Sequence, residues 1–279
     1  MLFARRYDII IKLIAAQTEY GRLAQLVEHL LDVQEVTGSS PVPSTKQFVL
    51  EPDSLWKRVR VFFLQYWDSI VLEDSVLVKL KTFFRTAYNF FNRIRLKNTD
   101  VTLIASNCNG CCILHDLGLK FNSPFVNLWI EPSDFIKLCE NLKDYLQYDL
   151  VFITPAEKEI TYPVALLKDI KLYFQHYSSE EEASLAWNRR KGRINFDNLY
   201  FLFTDRDGCT KQNLLDFDQL NLKHKAVLCH KPYPDIESAV YIKGFESESC
   251  VGMCMRYRSR FSIRKYYDDF DYVAWFNQT

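Results

Sequence analysis

The chain carries no surplus of either charge: 35 Lys and Arg residues balance 35 Asp and Glu residues in a total of 279. A protein that follows a nucleic-acid backbone needs a basic field, so nucleic acid is not expected as a partner. No apolar run approaches the roughly 18 residues of a transmembrane helix, so the sequence is not expected to cross a bilayer. Glycines number only 8, and from residue 47 onward there is no internal repeat or low-complexity tract. The 8 cysteines form no regular framework, and no second Cys-x-x-Cys or paired His follows the first to complete a structural zinc site. With no signal peptide ahead of them, they read as reduced thiols in a cytoplasmic protein. No metal is assigned, and the sequence assigns no cofactor. What the chain does have is apolar content, 48% of residues, which is enough for a core without disulfides or metals.

Residues 21–46 read as a translated transfer-RNA gene. Leu23 to Glu28 back-translate to a D-arm sequence (TTA GCT CAG TTG GTA GAG), and Gly38-Ser39-Ser40 to GGT TCG AGT, which contains the T-loop GTTCGA. Ser44-Thr45-Lys46 encode a terminal CCA, and the Asp32 codon falls on the anticodon. From Gly21 to the first base of the Lys46 codon is the length of a whole tRNA. Codons fixed by RNA pairing are not selected to bury a core. Residues 1–46 are therefore expected to be a spurious, poorly anchored N-terminus, with the true start near Val49 or Leu50 on a non-ATG codon or after a frame change. They are set aside for fold reasoning.

Residues 47–98 show helical periodicity, with Leu80, Phe84, Ala87 and Phe91 on one stripe and a local excess of Lys and Arg. Two readings stand for this amphipathic segment: a helix packed on the main domain, or one that docks a membrane surface or assembly partner through residues 75–95. From residue 99 the pattern alternates. Strands are expected at 101–105, 125–130, 150–154, 164–167, 170–176, 199–204, 226–230 and 240–243. Helices are expected at 110–117, 132–148, 179–193, 211–220 and 266–276. That alternation predicts an α/β fold: one domain over 99–279, a three-layer-like sandwich with a largely parallel sheet, preceded by the N-terminal helical segment.

Three constellations could carry chemistry. In Ser106-Asn107-Cys108-Asn109-Gly110 a strand ends in small polar residues, and a helix N-terminus there would stabilise a Cys108 thiolate. Asn107 would serve as oxyanion donor and Asn109 as a substrate contact. Equally, this is a buried cysteine in a polar turn. Cys108-Asn109-Gly110-Cys111-Cys112 is a Cys-x-x-Cys of the kind used for zinc or redox work, and the plainer reading has Cys111 and Cys112 packing on a helix. Asp205-Arg206-Asp207 ends another strand. Such a carboxylate pair can hold a divalent cation and a sugar diphosphate, face a substrate as a polar loop, or simply cap the next helix. His176 and His230 each end a strand, and either could act as a base near Cys108 if the strand ends converge. Arg190 lies in a basic run suited to phosphate or a carboxylated sugar, or to a solvated helix face.

Several segments together resemble one family, the domain of unknown function 1919, whose members are often labelled exopolysaccharide biosynthesis proteins. The matching pieces are residues 103–110, Leu117-Gly118-Leu119, Asn122-Ser123-Pro124-Phe125, Pro132-Ser133-Asp134-Phe135 and residues 141–146. To these add residues 176–183, Trp187, Arg189-Arg190, residues 193–199, Arg206-Asp207-Gly208-Cys209-Thr210 and Lys231-Pro232-Tyr233-Pro234. The resemblance spans roughly residues 83–276. The family pattern has Ser-Asn-Asn-Cys, then an aromatic and two glycines. Here Ala105 and Ser106 stand at its first two positions, Asn109 at the aromatic and Cys111 at the second glycine. Asn107 and Cys108 match, so they carry the expectation and Ser106 does not.

The resemblance implies a setting in capsule or exopolysaccharide synthesis and no established reaction. The expectation is a cytoplasmic protein, or one peripheral to the inner membrane, that transfers a group to or from a sugar or nucleotide sugar. Acyl transfer would use Cys108, Asn107 and His176 or His230, with Asn109, Arg190 and Arg206 on the substrate. Glycosyl transfer would use Asp205 and Asp207. The alternative is a non-catalytic carbohydrate-binding or assembly module.

Overall fold

Period-two burial on both faces builds the central sheet. Along β1 (Thr102–Ala105) and β5 (Leu199–Thr204), Ile104, Phe201 and Phe203 join one hydrophobic cluster, while Leu103, Ala105, Tyr200 and Leu202 join another on the opposite face. The same alternation splits Val227 and Cys229 from Ala226 and Leu228 in β6 (Lys225–Cys229). A strand buried on both sides is what a parallel sheet covered by two layers requires. The computed structural model describes residues 74–155 and 160–278. The segments 1–46 and 47–73 read from the sequence lie outside the described residues.

The main sheet has the order β1-β5-β6-β7, with β7 at Ala239–Tyr241, and every pairing in it is parallel. One face is covered by α2 (Asn109–Leu117) and the C-terminal turns. The other is covered by α3 (Pro132–Glu140), α5 (Glu180–Lys191), α6 (Lys211–Gln219) and a second sheet. That second sheet is antiparallel, in the order β2-β3-β4: Leu150–Ile153, Val164–Leu167 and Ile170–Tyr173. The chain is therefore a layered α/β fold with a parallel sheet at its centre, as expected, and with three of the expected strands set apart from it.

Local chemistry explains most element ends. Ser179 caps α5 by accepting the Glu182 N–H, and Thr210 forms a reciprocal capping box with Asn213 on α6. Gly118 ends α2 with φ +70°, a left-handed position that suits glycine. Two expected helices are broken. Residues 132–148 divide at Asn141 (φ −129°) into α3 and the short α4 (Leu142–Tyr145). Residues 266–276 divide into a 3-10 turn (Tyr266–Asp269) and α7 (Tyr272–Phe276), where Asp271 caps the second piece by accepting the Ala274 N–H. The expected strand at 125–130 is instead a buried connector. Asn127 takes φ +64° and breaks its extension, and burial of Phe125, Val126, Leu128 and Ile130 holds it in place.

The long helix α1 (Asp74–Arg95) is held to the domain by a buried charge cluster. Arg85 reaches Asp116 and Asp268, each at 2.5 Å, and all three are almost fully buried. Lys265 and the Tyr267 hydroxyl also donate to Asp116. Burial alone would raise the Asp116 carboxyl. The hydrogen bonds from Tyr267 and Arg85, with the Arg85 charge, bring it down to about 2 instead.

An unfolded Asp titrates near 3.8, above the folded value of about 2. The stabilisation from this carboxylate is therefore complete at neutral pH and is lost as pH falls through that window. Arg85→Met leaves two buried carboxylates short of their partner. It is expected to cost about 3–5 kcal/mol in urea unfolding at neutral pH. The loss should be smaller at low pH, where Asp116 protonates, and an equal loss at both pH values would contradict this assignment.

Candidate functional site

At the carboxyl end of the sheet the chain paths part at a topological switch point. After β1 the chain turns into α2 on one face, and after its neighbour β5 it turns into α6 on the other. Adjacent parallel strands whose following segments part to opposite faces leave an opening between them, where ligands of α/β sheets usually bind. Asn107 spans it, donating from Nδ2 to Thr204 Oγ1 at 2.7 Å. The first turn of α2 lies flush on β1. A Cβ on Gly110 would stand 2.7 Å from the Ala105 Cβ, so only glycine permits that approach.

The second sheet brings the imidazole. Ser106 O accepts the Ile130 N–H, and Trp129 and Tyr173 exchange both backbone bonds at 3.0 Å. The connector 125–130 thereby ties the end of β1 to the end of β4. His176 follows β4 by three residues, and its Nε2 lies 2.9 Å from the Cys108 Sγ. Cys108 is half-buried at the N-cap of α2, and His176 is exposed.

Three thiols share this helix start, and they differ. Burial pushes the Cys108 thiol up to about 11, with the nearby Cys112 charge adding to it. A hydrogen bond from Cys111 lowers Cys112 to about 7, against burial and with help from the Lys265 charge. Cys111, which donates that bond and is itself half-buried, is pushed up. Arg206 and Asp207 act on the Cys108 thiol in opposite senses.

The surrounding side chains are largely committed. Asn107 Oδ1 accepts from the Asn109 N–H and Nδ2, so Asn107 works mainly as a brace. Asn109 is 1% exposed, so its expected substrate contact would need a ligand that penetrates the turn. Arg190 donates to the Tyr177 hydroxyl at 2.6 Å and to Val126 O, and its charge reaches Cys111. It therefore stands beside the pair, behind the residue next to His176. Tyr177 was not singled out from the sequence, although its place beside His176 offered a signal. The first-turn N–H groups of Gly110 and Cys111 precede the first intrahelical bond and can receive an oxyanion.

The second imidazole is held by a carboxylate. His230, at the end of β6, places Nδ1 2.5 Å from Asp205 Oδ2, and its backbone N–H donates to the same oxygen. Asp205 Oδ1 accepts the Val251 N–H at 2.7 Å. Both oxygens of this buried carboxylate are thus taken by protein donors, and Val251 carries no sequence signal for that role. Asp205 orients a histidine and closes a loop; it does not project toward a cation beside Asp207. Asp207 and Gly208 form a tight turn with φ +59° and +81°. Arg206 donates to Gly252 O at 3.1 Å and remains partly exposed beside Asp207. Among the described residues no cluster of three or more His, Cys, Asp or Glu side chains is arranged to hold a metal ion. A cavity of about 540 Å³ opens at the other end of the sheet, among Asn141, Phe196, Asn221 and His224, and none of the selected side chains lines it.

Fold and site together define an α/β protein with a thiol–imidazole pair at the carboxyl edge of its parallel sheet. A model of the domain of unknown function DUF1919 matches residues 79–277, and the chain belongs to that family. An uncharacterized protein of Haemophilus influenzae is similar: 47% identical over 191 residues, which cover 67% of this chain and 91% of that protein.

The three thiols give a labelling order. Iodoacetamide reacts with the thiolate, so at about pH 8 Cys112 is expected to be alkylated before Cys108. Cys108 labelling should climb as pH rises toward 11, because its folded value lies above the usual thiol range. Peptide mapping after timed quenching reads the order; Cys108 labelled first at pH 8 would contradict the assignment.

Proposed function

We propose that the protein is an acyltransferase acting on a sugar or activated sugar in surface-polysaccharide synthesis. It would work in the cytoplasm or at the inner membrane, with Cys108 as nucleophile and His176 as base. The 2.9 Å approach of Cys108 Sγ to His176 Nε2 carries this reading. A thiol that burial holds in its neutral form, in contact with an imidazole, suits general-base activation, in which the proton moves as the bond forms. His176 Nε2 takes the thiol proton while Sγ attacks the carbonyl carbon of an activated acyl donor. First-turn N–H groups of α2, with the Asn107 amide, receive the oxyanion. Collapse expels the leaving group, which takes the proton from His176, and a thioester remains. A sugar hydroxyl then gives its proton to His176, attacks the thioester and restores the thiol. Arg190 and Arg206 offer positive charge to an anionic acceptor such as a nucleotide sugar. The engagement of both Asp205 oxygens weighs against the metal-dependent glycosyl version.

A second reading has its own observation. α1 exposes Phe83, Phe90 and Ile94 on one face while the opposite face is anchored through Arg85. An apolar outward stripe supports an assembly or carbohydrate-binding module, or a protein peripheral to the membrane, docked through residues 75–95. No described helix is long and apolar enough to cross a membrane.

p-Nitrophenyl acetate separates the two. The acyltransferase reading expects a burst of nitrophenol and an acetyl group mapped to Cys108. Cys108→Ala should abolish both, and His176→Ala should slow acetylation by roughly 10²–10⁴-fold, the usual loss with a general base. Acetyl transfer retained by Cys108→Ala, or mapped to Cys112 alone, leaves the non-catalytic module standing.

A further inference from the structure

The acyl-transfer scheme uses one of the three thiols at the start of α2, and the other two have no part in it. Cys108 stands at the N-cap and Cys111 at the third helical position, with Cys112 beside it. All three are partly accessible, and none is engaged in a disulfide. Cys111 and Cys112 are neighbours on the helix, and the Cys112 N–H bonds to the Cys108 carbonyl at 3.2 Å. His176, an exposed imidazole, touches the Cys108 sulfur from outside the helix.

We propose that Cys108 and Cys111 form a peroxide-responsive dithiol whose disulfide takes Cys108 away from His176. The pairing follows from geometry. Neighbouring Cys111 and Cys112 cannot bridge without distorting the peptide between them. Cys112 lies a full turn from Cys108, in the body of the helix. Residues three apart on a helix bring their Cβ atoms to about 5–6 Å. A disulfide needs about 3.5–4.5 Å, so the bridge requires a small closure of the first turn, where Cys108 is free of the helix on its N-terminal side.

The chemistry balances with hydrogen peroxide as the oxidant. His176 takes the Cys108 proton as Sγ attacks a peroxide oxygen. The O–O bond breaks, a sulfenic acid forms at Cys108, and the departing hydroxide takes the proton from His176 to become water. Cys111 then attacks the Cys108 sulfur and passes its proton to the Cys112 thiolate. The S–O bond breaks, the S–S bond forms, and hydroxide leaves with the Cys112 proton as a second water. Two thiols are oxidised and one peroxide is reduced to two waters. Cys112 ends as it began, a proton relay next to the attacking thiol on the helix.

Bridge formation does not depend on the acyl-transfer reading; only its consequence, a silenced nucleophile, rests on that reading. The test treats the full-length chain with sub-millimolar hydrogen peroxide, blocks free thiols with iodoacetamide, and measures intact mass and disulfide-linked peptides. The expected product lacks two hydrogens and has Cys108 joined to Cys111. Cys108→Ser and Cys111→Ser should each lose the bridge, while Cys112→Ser should keep it and form it several-fold more slowly. Dithiothreitol should restore the original mass. A bridge between other cysteines, or added oxygen atoms with no bridge, overturns the proposal. If the bridge forms in a protein that never acetylates Cys108, the acyltransferase reading falls and the dithiol stands. If Cys108 acetylates and no bridge forms, the reverse holds.

Discussion

Two adjacent parallel strands whose chains leave on opposite faces cannot close the sheet edge between them, and this site depends on that constraint. β1 delivers Cys108 to α2 on one face; β5 delivers Asp205 and Asp207 toward α6 on the other. Asn107 and Thr204 bridge the gap with one hydrogen bond, so the switch point is braced. Gly110 sets the depth of the helix start by letting α2 lie against Ala105. The thiol positions all derive from that contact.

A second layer of constraint keeps the edge rigid. Asp205 collects a backbone N–H from each of two loops and an imidazole nitrogen. A buried carboxylate has to be satisfied in this way, since an unpaired one is costly. On the outer side, Asp116 near the end of α2 is neutralised by Arg85 and Lys265, which fixes α1 against the same helix that begins with Cys108. The two ends of α2 thus have different tasks: its last turn anchors a neighbouring helix, and its first turn presents thiols.

The sequence was legible where a single local rule decided the outcome. Strands β1 and β5 and helix α5 with its Ser179 cap follow from periodicity and capping alone. The connector 125–130 misled because its apolar run is buried by surrounding elements rather than by a ladder, and the left-handed Asn127 has no strong signature. His176 and His230 could not be ranked from sequence, since each simply ends a strand. The difference is tertiary: β4 is hydrogen-bonded to Trp129, which carries His176 to Cys108, while Asp205 claims His230. Asp205 and Asp207 read as a pair along the chain, yet one turns inward and the other forms a left-handed turn.

The electrostatics of the thiol bear on how such a site works. A cysteine at a helix N-terminus beside a histidine is often a ready thiolate, but burial holds Cys108 in its neutral form, and the shared proton of Cys111 and Cys112 places the nearby negative charge on Cys112. A second thiolate one turn away would face that charge at short range. Ionisation of Cys108 is therefore tied to a proton acceptor at the moment of attack, and His176, exposed and at 2.9 Å, is the acceptor in contact with it. The same arrangement makes the chemistry of Cys108 depend on His176 being in contact to take its proton as an electrophile arrives.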